Sequence, residues 1–395
     1  MPAQNPPAPP AAPDGGGQVF NVRAYGAKGD GIVNDTEAIQ SAINAAAVGA
    51  SARGGIIYFP PGEYRIENPG LVLPRYPVPD VPGDLRPRVA LPLSLVGAGP
   101  GTSVLHAPAG VLDAGTPLLR WDFQTGKRTD FFRIQDLQLS RTDDGTVIAY
   151  TMPTNNLLSE RLVQATLRNV YLRGRSANGD TPVTGNVAVF DGALNCQFQD
   201  VAVFGGNVGF ALQNSSHCMF QNFRTDVDLQ MNTGLRIQGG GNHVFINTRI
   251  EATNGGAGVQ LDSGTRNLLF DGVFFEGKAT KPQMAINDAV GVTITNPAFA
   301  TPTAPNVTGL YCGAAARNVR VIGGLAKDFT VQQNSAAIRV KAGARQVHVE
   351  GLVLLNPSEA TSHPAGNVAI EPGAADVTVS VMDEKASFAA STFTS

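Results

Sequence analysis

Three carboxylates are the residues of this chain whose types and spacing point most directly to chemistry. Asp226, Glu251 and Glu276 recur at intervals of 25 residues, each six residues after a phenylalanine: Phe220, Phe245 and Phe270. Four residues after the same phenylalanines stand Arg224, Arg249 and Phe274. The positions between are mostly apolar (Phe223, Ile250, Val273, Phe275), so strand alternation turns offsets four and six outward together. Extending the two columns toward the N-terminus adds Tyr171 and Arg173, then Phe204. The expected result is an outer strip of acids, arginines and aromatics.

Carboxylates stacked one coil apart repel, which opposes their joint ionisation. One that holds a proton is a general acid beside an ionised neighbour. Glycosidases use two such acids, about 5–5.5 Å apart when retaining and about 6.5–9.5 Å apart when inverting. Adjacent and alternate coils, at about 5 and 10 Å, supply either spacing. The leading expectation is acid-assisted hydrolysis of an acidic or complex polysaccharide. Glu251 and Glu276 would form the acid/base pair, with Asp226 assisting. Arg224 and Arg249 would orient the substrate by pairing with uronate or sialate groups. Tyr171 and Phe274 would stack sugars, with Arg173 and Phe204 completing the binding strip. The plainer alternative is a row of surface ion pairs, Arg224–Asp226 and Arg249–Glu251, each worth little. Asp228 is a further acid or a calcium ligand, although two Asp fall short of the 6–8 oxygens that calcium takes.

These columns exist only if the chain winds at a fixed period. Large inward residues fall at Ile134, Leu167, Phe198, Phe220, Phe245, Phe270, Ile294, Val321, Val349 and Val379, in steps of 22 to 33 residues. Repeats of this length are stacked units too small to bury their own apolar faces. Each is strands and turns without helical period, which predicts a single-stranded parallel β-helix of about ten coils. Residues that share an offset then stack about 4.8 Å apart. Three before the anchors runs Asn195, His217, Asn242, Asn267, Gly291, Asn318, Gln346 and Asp376, a turn column with His217 replacing one rung. Two before runs an inward apolar column containing Cys196, Cys218 and His243. The two cysteines read as buried thiols and His243 as a core histidine with its hydrogen bonds satisfied. One before, Met219, Val244 and Leu269 make an outward apolar patch, joined by Ile246, that a second subunit or a folded-back loop is expected to cover.

Composition narrows the class. The chain has 395 residues, 45 glycines and only 15% charged residues, in keeping with many strands and tight turns. A net charge of −3 argues against a nucleic-acid partner held by phosphate neutralisation. No apolar run is long enough for a membrane span. Residues 1–17 are Pro/Ala/Gly-rich, without the charged start and apolar stretch of a signal peptide, and read as a disordered tail. Residues 18–385 read as the β-helix and 386–395 as a C-terminal tail. Stretches at 69–92 and 141–160 read as loops, either walls of a binding site or irregular insertions, and neither carries a nameable motif.

The segment Val22-Arg23-Ala24-Tyr25-Gly26-Ala27-Lys28-Gly29-Asp30-Gly31, followed by Asn34-Asp35-Thr36-Glu37-Ala38-Ile39 and by Tyr58-Phe59-Pro60-Pro61-Gly62, reads as strand, Gly-rich turn, capped helix, strand and turn. Asp30 and Asp35 are expected in turn or cap roles there. This block, residues 19–66, resembles the N-terminal signature of the pectate lyase superfamily, in the branch of rhamnogalacturonase- and epimerase-like proteins and phage tailspikes. The resemblance implies a right-handed parallel β-helix whose open end is capped by the helix. It also implies a polysaccharide substrate and a secreted, extracellular or virion location. Polygalacturonase relatives carry Asn-Thr-Asp and Gly-His-Gly motifs that this chain lacks; Asp143-Asp144 lies before the main coils, and Arg339-Val340-Lys341 is a distant echo of Arg-Ile-Lys. Lyase chemistry, with calcium or Arg173, Arg224 and Arg249 neutralising an acid sugar, and non-catalytic glycan binding remain alternatives. No resident cofactor is otherwise expected.

Overall fold

A computed structural model describes residues 18–48, 55–73, 93–121, 129–152, 161–175, 184–226, 231–251, 256–276, 281–300, 306–327, 329, 335–355, 368–383 and 390–394. Asp228, Asn155-Asn156, the residue 1–17 tail, most of the 69–92 loop and part of the 386–395 tail lie outside the described residues.

The chain winds as a right-handed parallel β-helix, and its register is the one that the anchors predict. Ile134 pairs with Leu167, Leu167 with Phe198, Phe198 with Phe220, and so on without a slip to Val349 and Val379. The same column continues upward through Leu95 and Ile57 to Phe20. Each coil has three faces. The anchor face leads through a bend to the face that carries the strip. A third face runs through Leu119, Ile148, Ala188, Phe210, Leu235, Val259, Met284, Leu310 and Ile338.

The core is a stack of like side chains at the coil spacing. Phe198, Phe220, Phe245 and Phe270 lie ring over ring, at centroid distances of 4.5, 4.5 and 4.4 Å. The corners on both sides of the anchor face use the left-handed backbone. The column three before the anchor is left-handed from Asn195 to Asp376, and a second column two after it holds Asp136, Asn169, Asp200, Asn222 and Asn247 in the same conformation. Asn and Asp tolerate that geometry, and their side chains bond along the axis. The Asn247 amide donates to Asn222 Oδ1 at 2.7 Å, and Asn222 donates to Asp200 Oδ1 at 2.9 Å.

The N-terminal end is closed by helix α1, Thr36–Val48, whose Ile39, Ala42, Ile43 and Ala46 are buried against the first coil. Gln40 of α1 imitates a strand: its Oε1 accepts from Val72 N–H at 2.8 Å and its Nε2 donates to Val72 O at 2.9 Å. Asp35 is taken by the N–H groups of Lys28 and Gly29, and Asp30 by those of Ile32 and Val33, so both carboxylates serve the turn. Asp143 likewise pairs with the fully buried Arg141, which also donates to the carbonyl of Asp113. At the other end, Ala390–Thr394 pairs antiparallel with the last coil. Met219 and Ile246 are each 37% exposed, with Val244 and Leu269 half-buried beside them, so the apolar patch does face outward.

Cys196, Cys218 and Cys312 are buried free thiols, and burial pushes Cys312 up to about 12. His243 departs from expectation. It is fully buried and its Nδ1 accepts from Cys218 N–H at 3.2 Å, but Nε2 has no hydrogen-bond partner. Burial lowers its pKa from 6.5 to about 4. The unfolded chain therefore binds a proton at a pH where the folded chain refuses it. The associated stability is present in full above about pH 6.5 and is lost as pH falls toward 4, up to about 3 kcal/mol. Chemical denaturation across that window is expected to show this loss, and His243→Leu is expected to flatten it.

Candidate functional site

The strip is a property of register. Tyr171 pairs with Ala202, Ala202 with Arg224, Arg224 with Arg249, and Arg249 with Phe274. Two residues along, Arg173 pairs with Phe204, Phe204 with Asp226, and Glu251 with Glu276. All nine expected residues thus lie in two adjacent columns on one face. From Arg173 to Glu276 the column climbs four coils, about 19 Å.

Side-chain contacts divide the strip in two. In its lower half, Arg249 Nη2 lies 2.5 Å from Glu251 Oε1 and 2.6 Å from Glu276 Oε2. Both carboxylates are therefore compensated by one guanidinium, and the expected repulsion between bare neighbours does not arise. The two oxygens are at most 5.1 Å apart, the sum of those distances. That is close to the retaining-glycosidase spacing, but the cation fills the gap. Glu251 is a correction to the outward reading: it is 3% exposed, whereas Glu276 and Phe274 are open to solvent. Local chemistry explains the burial. The Thr225 hydroxyl enters the ladder, accepting from Glu251 N–H and donating to Glu251 O, both at 2.9 Å. This seats the end of the strand tightly against the coil before it, and Arg249 folds over the carboxylate. Desolvation acts to lower the Arg249 pKa, but its hydrogen bond to Glu251 and the negative charges of Glu251, Glu276 and Asp226 together raise it.

The upper half is built differently. The expected Arg224–Asp226 pair does not form. Arg224 instead lies over the Tyr171 ring, 5.6 Å from its centroid, and donates to the Tyr171 hydroxyl at 3.4 Å. It also lies 5.9 Å from the Phe204 centroid, as does Arg173. Tyr171 and Phe204 pack at 5.6 Å with their planes tilted by 57°. Among the described residues neither Arg173 nor Arg224 has a carboxylate partner, and Arg173 Nε is buried without a hydrogen bond. Weakly hydrated guanidinium groups stacked on rings suit recognition of a planar carboxylate next to a sugar face.

The same column continues upward into residues that the sequence reading missed. Arg173 pairs with Ser140, Ser140 with His106, and His106 with Arg65. His106 Nδ1 lies 2.7 Å from Glu63 Oε1 and its Nε2 lies 3.0 Å from Thr142 Oγ1. Arg65, Glu63 and His106 precede the first aligned anchor, and His106 lies eleven residues after Leu95 where its partner Ser140 lies six after Ile134, so a fixed offset does not reach it. Among the described residues no group of three His, Cys, Asp or Glu side chains is arranged to hold a metal ion.

Comparison with known proteins follows this geometry. The sequence profile of the family described as "Rhamnogalacturonase A/epimerase, pectate lyase-like" matches residues 19–277. Mannuronan C5-epimerase AlgE1 of Azotobacter vinelandii is 29% identical over 258 residues, 63% of this chain and 16% of that protein. A capsule KN3-specific depolymerase of Klebsiella phage KN3-1 is 27% identical over 275 residues, 68% of this chain and 30% of that one. Among solved structures, the A-module of Azotobacter vinelandii mannuronan C-5 epimerase AlgE4 matches with a TM-score of 0.60 at 16% identity, covering 90% of this chain and 96% of that one. That likeness is one of fold. The chain spans less than a quarter of the length of the epimerases it matches.

The two-sided ion pair makes a prediction. Arg249→Ala removes the guanidinium that covers the buried Glu251 carboxylate, at an expected cost of about 2 kcal/mol. Glu276→Gln removes only a solvent-exposed partner, at under about 1 kcal/mol. Denaturant unfolding of the two variants beside the parent chain checks the ordering.

Proposed function

The chain belongs to the rhamnogalacturonase A/epimerase, pectate lyase-like family, and from that membership we propose that it acts on a uronate-containing polysaccharide laid along the strip, by removing the proton at C5. One observation carries the reading: Arg173 and Arg224 are stacked on Tyr171 and Phe204 and lack a carboxylate partner among the described residues. A uronate supplies that carboxylate, and its ring supplies a face for the aromatics.

The chemistry follows from charge. Loss of the C5 proton builds negative charge on the adjoining carboxylate oxygens, and a preorganised guanidinium at those oxygens lowers the barrier. Arg224 fills this role, with Arg173 beside it. The Tyr171 hydroxyl accepts from Arg224 at 3.4 Å, so a uronate carboxylate held by Arg224 would bring its C5 toward that oxygen, which would move the proton. Return of a proton from solvent to the opposite face of C5 gives the epimer, the proton taken by Tyr171 passing back to water. Breakage of the C4–O4 bond instead, with the departing oxygen taking up a proton and leaving as an alcohol, gives a C4–C5 double bond, the lyase outcome. Glu251 and Glu276 hold Arg249 in place and form the floor of the strip. Their service as a hydrolytic acid/base pair would require a substrate oxygen in the gap that Arg249 now fills. Similarity to a mannuronan epimerase and to a phage capsule depolymerase supports a polysaccharide substrate, and with it an extracellular or virion setting.

Incubation with polymannuronate, polygalacturonate and a neutral glucan, each with and without a chelator, tests the reading. C5 inversion by NMR or new ultraviolet absorbance is expected with a uronate polymer only, and Arg224→Ala is expected to lower kcat/KM by about 100-fold or more. Reducing ends without unsaturation would make the chain a hydrolase, and binding without any product would make it a glycan-binding module. Either result overturns the proposal.

A further inference from the structure

A second basic site lies away from the strip, where the third face turns into the anchor face. A pocket of about 280 Å³ opens there, lined by Arg161, Ser216, His217, Asn242 and Arg266, with Gly240 and Gly241 beside them. Its volume lies just below the usual range for small-molecule pockets, so it suits a single charged group or one sugar ring. It is separated from Arg224 by seven positions, from offset −3 to offset +4, about 23 Å of extended chain that passes a corner. One sugar cannot reach both.

The pocket exists because a repeat is broken. In the corner column, Asn267 Nδ2 donates to Asn242 Oδ1 at 3.1 Å. The next rung would offer Asn242 an acceptor of the same kind, but that rung is His217. The Asn242 amide protons are left without a ladder acceptor and are available to a ligand. The backbone is pressed close here as well: a Cβ on Gly240 would lie 1.8 Å from Ser215 O, and one on Gly241 would lie 1.9 Å from Arg266 O. Arg161 donates to Ser216 Oγ at 3.2 Å. Asp191 accepts from Asn214 Nδ2 at 2.9 Å and its charge partly offsets that of Arg161. Arg266 is exposed and has no acid partner among the described residues. Among the described residues the lining offers donors and positive charge and no carboxylate.

We infer that this pocket binds a small oxyanion, the carboxylate or sulfate group of an acidic sugar or the free inorganic anion, independently of the strip. Two guanidinium groups and an amide donor match its planar or tetrahedral oxygens. The inference stands whether or not the strip performs the chemistry proposed above.

The test is an NMR titration of the full ¹⁵N-labelled chain carrying Arg224→Ala, so that the strip is weakened. Galacturonate, inorganic sulfate and galactose are added in turn. The Asn242 side-chain amide is expected to shift with galacturonate or sulfate and not with galactose. A response to sulfate alone assigns the pocket to free anions, and a response to galacturonate assigns it to an acidic sugar. Adding Arg266→Ala, or Arg266→Gln if the first variant melts early, is expected to weaken binding about tenfold. No shift with either anion, an equal shift with galactose, or affinity unchanged by both Arg266 variants overturns the inference.

Discussion

The molecule depends on the parallel register between successive coils. Every coil hydrogen-bonds to the one before it at the same offset, so one correct alignment fixes the position of each later side chain. A slip of one residue would turn the stacked phenyl rings to solvent and the strip to the core. The left-handed corners at Asn195, His217 and Asn242 on one side of the anchor face, and at Asn222 and Asn247 on the other, set where each strand ends and which residues face out. The functional surface follows from this lattice. Tyr171 and Arg249 are 78 positions apart in the chain, yet they share one column because each coil between them keeps the offset.

On that lattice the strip carries two electrostatic regimes. Around Arg249 the charges are internally balanced, with a buried and an exposed carboxylate sharing one guanidinium. Such an arrangement is rigid and already paired, which makes it a poor ligand for an incoming anion. One coil earlier, Arg224 is held by a ring face and a hydroxyl, with no carboxylate partner among the described residues. An anionic sugar gains most where the protein has not supplied its own counterion, which is why the proposed reaction is set at Tyr171 and Arg224 and not between the two glutamates.

Much of the fold was legible from the sequence, because the period repeats and errors in one coil are corrected by the next. All ten anchors, the turn column from Asn195 to Asp376 and the cap helix stripe follow from residue type alone. The site was legible only to the level of columns. Alternation predicted that Glu251 faces out, but the Thr225 hydroxyl drew that strand end inward and Arg249 covered it. Offsets also cannot show that Arg249 bridges two acids or that Arg224 prefers Tyr171 to Asp226, since long side chains reach across coils. In the Glu63–His106–Thr142 contact, Glu63 and His106 lie in coils before the first anchor, and the basic corner pocket depends on Arg161, which follows an insertion that the period does not describe.

The most direct measurement is a crystal structure of the chain with a bound uronate oligosaccharide. The account predicts a sugar carboxylate within about 3 Å of the Arg224 guanidinium, its ring against Tyr171 or Phe204 and its C5 facing the Tyr171 hydroxyl. A chain lying on the third face, or a glycosidic oxygen seated between Glu251 and Glu276 with Arg249 displaced, would contradict it.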